Sequence, residues 1–365
     1  MEIQAAVLRE VGKPFSIETL TLEEPGPGEV RVKVAATGLC HTDLSVRDGH
    51  MPAPMPIVPG HEGAGIVDAV GSGVTKVAPG DSVVMSYLSC GGCPSCMKGV
   101  PSYCQQIFRL NFSGGRLDGS SPLSDASGTK VHGMFFGQSS FATYAVAGER
   151  NVVKVPAECD LTQLGPLGCG LLTGAGAVFN VLKPDPGSNF VVYGVGGVGL
   201  SGIMAAKSLG VSKIVAVDRH PSRLEIARDL GATHTVNGSE TDIVPGVQAA
   251  LGGGADFALE TTGVPTVIRA GIDALAIPGS IAVVGVSAPG AEIAVDASTI
   301  IFGKRILGVI EGDAVPDILI PHMVDLYQRG QFPLERFTKR YPLDAINQAA
   351  RDSEAGITIK PVLVP

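Results

Sequence analysis

Phe190-Val191-Val192-Tyr193-Gly194-Val195-Gly196-Gly197-Val198-Gly199 is the stretch that decides the fold. An apolar run enters G-x-G-x-x-G and an apolar helical pattern leaves it, the setting in which these glycines read as a dinucleotide fingerprint. Gly194 permits the tight turn, Gly196 lets backbone approach a pyrophosphate, and Gly199 allows the helix to lie close to the strand, with Gly197 at the turn between them. The N–H groups at the helix start would face the anion. A glycine-rich turn without a ligand is the alternative. Against it stands Asp218, nineteen residues beyond Gly199 at the end of the next apolar run. Its carboxylate can accept both adenosine ribose hydroxyls and would repel a 2′-phosphate, so NAD is expected over NADP. Arg219 and Arg223 pull the other way.

Outward from the fingerprint the rhythm of strand, turn and helix continues. Lys213 to Asp218, Asp256 to Glu260 and Ser280 to Gly285 are further apolar runs, and near-continuous runs of this kind separated by helices predict a parallel sheet covered on both faces. Pro221 to Gly231 has proline in the first turn and glycine just past the end of a helix. Residues 1 to about 150 differ. Glu29 to Val34 alternates with period two, Gly65 to Val70 is a second strand candidate, and both lie among Gly/Pro breaks, as in an irregular all-β module. A helix is expected from Asp317 to Gln328. The ending, Ile357 to Val364, reads as a strand able to return to the first module. Gly114 to Thr129 is Gly/Ser/Asp-rich and is expected as a surface loop.

Cys90-x-x-Cys93-x-x-Cys96-x7-Cys104 places four thiols within fifteen residues. Such a loop can wrap one tetrahedral zinc with four thiolates, closing the ion to any substrate. Two disulfides or an iron–sulfur cluster are the competing readings, and the spacing and the absence of secretion signals favour zinc. Chemistry must then be sought elsewhere in the chain.

The 365 residues exceed a single typical domain, and 45% hydrophobic content is enough for two cores. With 27 Lys+Arg against 35 Asp+Glu the net charge is −8, without a basic run, which argues against nucleic acid or an anionic membrane as partner. No apolar stretch reaches membrane-spanning length free of Gly or charge, and the opening residues show no leader pattern. A soluble cytoplasmic protein is expected, in keeping with thiols held in a reducing compartment.

Beyond the cluster lie Cys40, Cys159 and Cys169 and seven histidines. Gly38-Leu39-Cys40-His41-Thr42-Asp43 and Pro59-Gly60-His61-Glu62-Gly63 set a thiol and an imidazole among polar groups, yet each alone reads equally as a buried thiol or a satisfied core histidine. With G-H-E-G-A-G at 60–65, the four-cysteine lobe, G-x-G-G-x-G and Asp218 together, the whole chain resembles the zinc-dependent medium-chain alcohol dehydrogenases. Phe135 to Tyr144 and Leu167 to Gly174 resemble most the bacterial benzyl-alcohol (aryl-alcohol) dehydrogenases.

The resemblance implies an α/β protein: a Rossmann doubly wound parallel sheet over 171–313 and a mainly β GroES-like catalytic domain over 1–170 and 314–365. It implies a catalytic zinc on Cys40, His61 and Cys169 with a fourth position open, a structural zinc on Cys90, Cys93, Cys96 and Cys104, and NAD as cofactor. Asp43 would orient His61, Glu62 would sit behind the metal, and Cys159 would be a spare thiol. His41, Gly194, Gly196, Gly197, Val198, Gly199, Asp218, Arg223, Val286 and Lys360 match cofactor positions; Ser86, Phe136, Val286 and Ile310 match the substrate pocket.

Two departures stand out. Lys360 replaces the family's usual arginine and offers a point charge without a fork. Ser45 stands where animal-type members of the family place a histidine on the outward proton route. The implied reaction is reversible oxidation of a primary aromatic alcohol to its aldehyde, with Thr42 taking the proton in a relay. Aliphatic, polyol or glutathione-adduct alcohols are the same-family alternatives. A zinc-free quinone reductase would lack the cysteine lobe, and a zinc-ribbon binding module would leave the fingerprint unexplained. A homodimer or homotetramer is expected, with the strand near Lys304 to Val309 pairing across a two-fold.

Overall fold

Asn189–Tyr193 lies inside a six-stranded, all-parallel sheet whose spatial order is His234–Asn237, Lys213–Asp218, Asn189–Tyr193, Ala255–Glu260, Leu275–Val283 and Lys304–Gly308. The winding reverses beside Asn189–Tyr193, and in such sheets ligands bind beyond the carboxyl ends of the strands at that switch point. The computed structural model describes every residue from Met1 to Pro365. Phe190, Val191, Val192 and Tyr193 are fully buried because the strand has neighbours on both edges and helices cover the faces, which explains a run without polar alternation. Helix Pro221–Leu230 starts on its proline and stops at Gly231, whose φ of 139° suits glycine. This sheet belongs to a unit made of Leu171–Ala314 and Arg329–Arg336.

The other unit comprises Met1–Gly170, Val315–Gln328 and Phe337–Pro365. Its larger sheet has seven strands: Thr338–Pro342, Lys360–Val364, Glu29–Gly38, Gly63–Val70, Ser82–Met85 and Val152–Lys154 in order, with Tyr144–Gly148 also paired to Glu29–Gly38. Alternation in Glu29–Gly38 buries Val30, Val32 and Val34 against Val67, Val83 and Ala145 while Lys33 faces solvent. Each such side chain contributes about 1.5–3 kcal/mol through burial. The C-terminal strand pairs with this unit, Val362 opposite Gly38. It begins at Lys360, three residues later than the pattern suggested.

The segment from Gly114 to Thr129 is more than a surface loop. Leu123–Ser124 is a strand that joins Glu2–Val7, Ser16–Leu22 and Lys130–Val131 in a four-stranded sheet, and Leu123 is buried. Arg116 forks onto both Glu29 oxygens at 2.7 and 3.0 Å. One apolar side chain and one bidentate ion pair anchor a stretch whose composition is that of a loop. No single helix in the chain is long and apolar enough to cross a membrane.

Candidate active site

Cys40 lies two residues past the strand Glu29–Gly38 and caps helix His41–Arg47, and Asp43, one turn on, organises what surrounds it. The Asp43 carboxylate accepts from Cys40 N at 3.0 Å, from Gly60 N at 3.0 Å and from His61 Nδ1 at 2.9 Å. A single buried side chain thus ties two distant segments together. With Nδ1 donating to Asp43, the neutral ring presents its Nε2 lone pair, and that atom is buried without a hydrogen-bond partner. Cys169 follows the 3₁₀ turn Gly165–Gly168. A Cβ on Gly168 would lie 2.1 Å from Met85 O, so only glycine lets this turn press on the sheet. Ser86 Oγ donates to Gly168 O at 2.6 Å.

Ligand atoms of Cys40, His61, Glu62 and Cys169 lie within 4.8 Å of one another. Glu62 is fully buried; its Oε1 accepts from Gly170 N at 3.0 Å and from Lys360 Nζ at 2.8 Å, and its Oε2 lies 2.6 Å from the same ammonium. Lys360, matched by resemblance to a cofactor position, here commits its ammonium to Glu62 and is 5% exposed.

The charges shift one another. A hydrogen bond from Cys169 and, against the cost of burial, the positive charges of Lys360 and His61 hold the Cys40 thiol well below its ordinary value. Burial works against the His61 imidazolium, but the negative charges of Asp43 and Cys40 outweigh it and hold the ring well above its ordinary value. Burial pushes the Glu62 carboxyl up, with Lys360 opposing. A half-buried thiol that is already acidified, a buried thiol and a free imidazole nitrogen form a donor set for zinc that leaves a fourth position for oxygen.

The four-cysteine lobe is separate. Sulfur separations are 3.5 Å for Cys93 and Cys96, 3.9 Å for Cys93 and Cys104, and 4.0 Å for Cys90 and Cys96, and none of these thiols is bridged. A tetrahedron with zinc–sulfur arms of about 2.3 Å has edges of about 3.8 Å. The lobe therefore has the dimensions of a closed tetrathiolate site. Backbone N–H groups of Cys96 and Gln105 bring the Cys93 thiol down to about 6, while burial pushes Cys104 up to about 11.

In the unit built on the parallel sheet Gly194 has φ 85°, and a Cβ on Gly199 would lie 2.0 Å from Gly194 O. A Cβ on Gly196 would meet open space, leaving room for an anion against the backbone at the start of helix Gly197–Ser208. Asp218 accepts from Val195 N at 2.7 Å and from His220 N at 2.9 Å, which fixes its carboxylate beside the turn. Arg223 Nη1 is 4.0 Å from that carboxylate. Val198 is half-buried, and Val286 and Ile310 are exposed in the same unit. Ser86 and Phe136 are buried in the catalytic unit, and His41 is exposed there.

Residues 26–157 match the family described as alcohol dehydrogenase GroES-like domain, and residues 197–328 that described as zinc-binding dehydrogenase. A geraniol dehydrogenase of Castellaniella defragrans is 46% identical over 364 residues, covering 99% of this chain and 97% of its own. The chain belongs to the zinc-dependent medium-chain alcohol dehydrogenases. Among solved structures, benzyl alcohol dehydrogenase from Acinetobacter calcoaceticus is similar with a TM-score of 0.96 and 48% identity, covering 100% of this chain and 99% of that one. An alcohol dehydrogenase zinc-binding domain protein from Burkholderia ambifaria has a TM-score of 0.98 and 51% identity, with the same coverage.

Several contacts around this alcohol dehydrogenase's candidate metal site escape sequence reasoning. Phe136 stacks on His61, ring centroids 4.3 Å apart and planes at 25°. Phe112 meets Phe136 edge-on at 5.0 Å. Gln138 and Asn151, both buried, bond to backbone around His61, Ser86 and Phe136. The available signal was a lone amide, Gln138, within the otherwise small and apolar run from Phe135 to Ala142.

Proposed function

We propose that this protein oxidises primary aromatic alcohols of the benzyl type to aldehydes, reversibly, with NAD and two zinc ions per chain. The observation that carries the reading is the convergence of Cys40, His61 and Cys169, in which His61 Nε2 has no hydrogen-bond partner and Cys40 is acidified. Zinc held by the trio would supply Lewis-acid polarisation of an alcohol oxygen, lowering the pKa of its hydroxyl. NAD held at Gly194, Gly196, Gly197, Gly199 and Asp218 would supply the hydride acceptor.

The chain's own residues do the rest. Asp43 fixes the imidazole tautomer. Thr42 Oγ1, 3.8 Å from Cys40 Sγ, would accept the proton leaving the alcohol hydroxyl while passing its own hydroxyl proton on along a hydrogen-bonded relay toward solvent. Lys360 neutralises Glu62, so that no bare carboxylate is left buried beside two thiols. Val198 and Arg223 in the parallel-sheet unit would face the cofactor, and Ser86 and Phe136 in the catalytic unit would line the pocket. Cys90, Cys93, Cys96 and Cys104 hold the second zinc and stabilise their own lobe.

The aromatic preference is supported by the 48% identity to the Acinetobacter benzyl alcohol dehydrogenase. An allylic substrate of the geraniol type is the second reading, supported by the 46% identity to the Castellaniella protein. Both alcohols carry the hydroxyl-bearing carbon next to an sp² carbon, so that oxidation gives a conjugated aldehyde. Lys304–Gly308 is a sheet edge flanked by exposed Ile301 and Phe302, which supports pairing of two copies across a two-fold. Reduced thiols support a cytoplasmic location. Metal analysis with activity tests the core of the reading: two zincs per chain are expected, and activity should vanish with the loss of one. Full activity in zinc-free protein would reject it.

A further inference from the structure

Phe136 has φ 51° and ψ 33°, a left-handed conformation that a bulky side chain adopts only where its surroundings enforce it. Met134 and Ser139, on either side, also have positive φ. Side-chain hydrogen bonds do the enforcing. Gln138 Nε2 donates to His61 O at 2.9 Å and to Ser86 O at 3.1 Å, and its Oε1 accepts from Gly63 N at 3.1 Å. Asn151 Nδ2 reaches Phe136 O at 3.2 Å and Gly137 O at 3.1 Å, and Ser139 Oγ donates to Val58 O at 2.6 Å. The result is a Phe136 ring lying nearly parallel to the His61 imidazole at 4.3 Å. Phe112, on the short helix Ile107–Phe112, closes on the same ring at 5.0 Å and 71°.

We infer that Gln138 and Phe112 are positioning residues for substrate selection: Gln138 pins the turn that carries Phe136 to the backbone of His61, Ser86 and Gly63, and Phe112 closes on the Phe136 ring, making it an immobile aromatic wall beside His61 that favours alcohols bearing a planar unsaturated group. The inference rests on the reading of Phe136 as a pocket residue. A fixed ring gains from an aromatic or olefinic partner in offset or edge-to-face contact, whereas a saturated chain gains little from ring orientation. A released Phe136 can turn into the space the substrate ring would fill, so its loosening penalises benzyl alcohol more than hexan-1-ol. Neither positioning residue needs to touch substrate.

Gln138→Met keeps the volume and removes all three hydrogen bonds; Phe112→Leu removes the ring contact at a half-buried position. Two readouts apply to the zinc-loaded protein. With selectively ¹³C-labelled histidine, the His61 ring resonances, displaced by the stacked Phe136 ring and assigned through Phe136→Leu, should move toward unstacked positions in both variants. The kcat/KM ratio of benzyl alcohol to hexan-1-ol should fall about ten-fold or more, through a raised KM for benzyl alcohol, with zinc content intact.

An unchanged ratio overturns the inference, whether or not the resonances move, and so does a changed ratio with unmoved resonances. The wild-type ratio judges the substrate reading separately: a wild type preferring hexan-1-ol rejects both. Should Gln138→Met fail to fold, Phe112→Leu decides by the same two readouts.

Discussion

His61 Nδ1 donates to Asp43 Oδ1 across 2.9 Å with both side chains fully buried, and the same carboxylate holds the backbone of Cys40. Two of the three proposed zinc ligands are therefore oriented by one residue. Asp43→Asn removes the charge and exchanges one acceptor oxygen for a donor, so one backbone N–H loses its partner. Zinc affinity at this site should fall roughly 10–100-fold, with kcat falling alongside it. Chelator competition measures this. Zinc bound by the cysteine lobe should be unaffected, and equal loss from both sites would refute the assignment of Asp43.

The two proposed metal sites should fail differently. Cys40→Ala or Cys169→Ala should abolish turnover while shifting Tm by less than about 2 °C, because a catalytic site with an open position is dispensable to the fold. Cys93→Ala opens a closed tetrathiolate lobe and should lower Tm by about 5 °C or more, with aggregation. Calorimetry on the three variants checks the division, and comparable losses in all three would contradict it.

Zinc uptake at the catalytic site should be coupled to pH through His61. In metal-free protein Asp43 and Cys40 hold this ring's pKa well above its ordinary value, so zinc at this site competes with a proton. The raised pKa contributes stability to the metal-free fold that is complete below about 6.5 and is lost as pH rises through the folded value. Zinc affinity should accordingly rise with pH over that same window. Titration calorimetry in buffers of different ionisation enthalpy should register proton release that involves His61. Uptake at neutral pH without proton release would contradict the ion pair between His61 and its neighbours.

Asp218→Gly should raise KM for NAD and shift the kcat/KM ratio toward NADP by at least about ten-fold, since it removes an acceptor for the ribose and leaves Arg219 and Arg223 to attract a phosphate. Some loss with both cofactors is expected, because Val195 N loses its acceptor. An unchanged ratio would place the adenosine ribose elsewhere.

How legible this was depends on sequence distance. The parallel sheet could be read because Phe190 to Tyr193 and its sister runs are buried on both faces, and the helix from Pro221 because its proline and glycine mark its ends. The Asp43 contact with Cys40 spans three residues of one helical turn and was within reach of spacing. The Glu62 to Lys360 ion pair joins residues 298 positions apart, and nothing local in either segment announces it. Phe112 and Phe136 likewise meet through tertiary folding, and Leu123 enters a sheet from a stretch with loop composition because one apolar residue suffices to anchor it.

The most direct measurement is steady-state kinetics with NAD on benzyl alcohol, geraniol, hexan-1-ol, ethanol and sorbitol. The account predicts kcat/KM for benzyl alcohol roughly two decades above ethanol, since additional apolar burial at about 25 cal/mol per Å² stabilises the aromatic transition state by a few kcal/mol before ordering costs. A preference for ethanol or sorbitol would contradict the aromatic assignment, and no NAD-dependent turnover of any alcohol would contradict the account at its root.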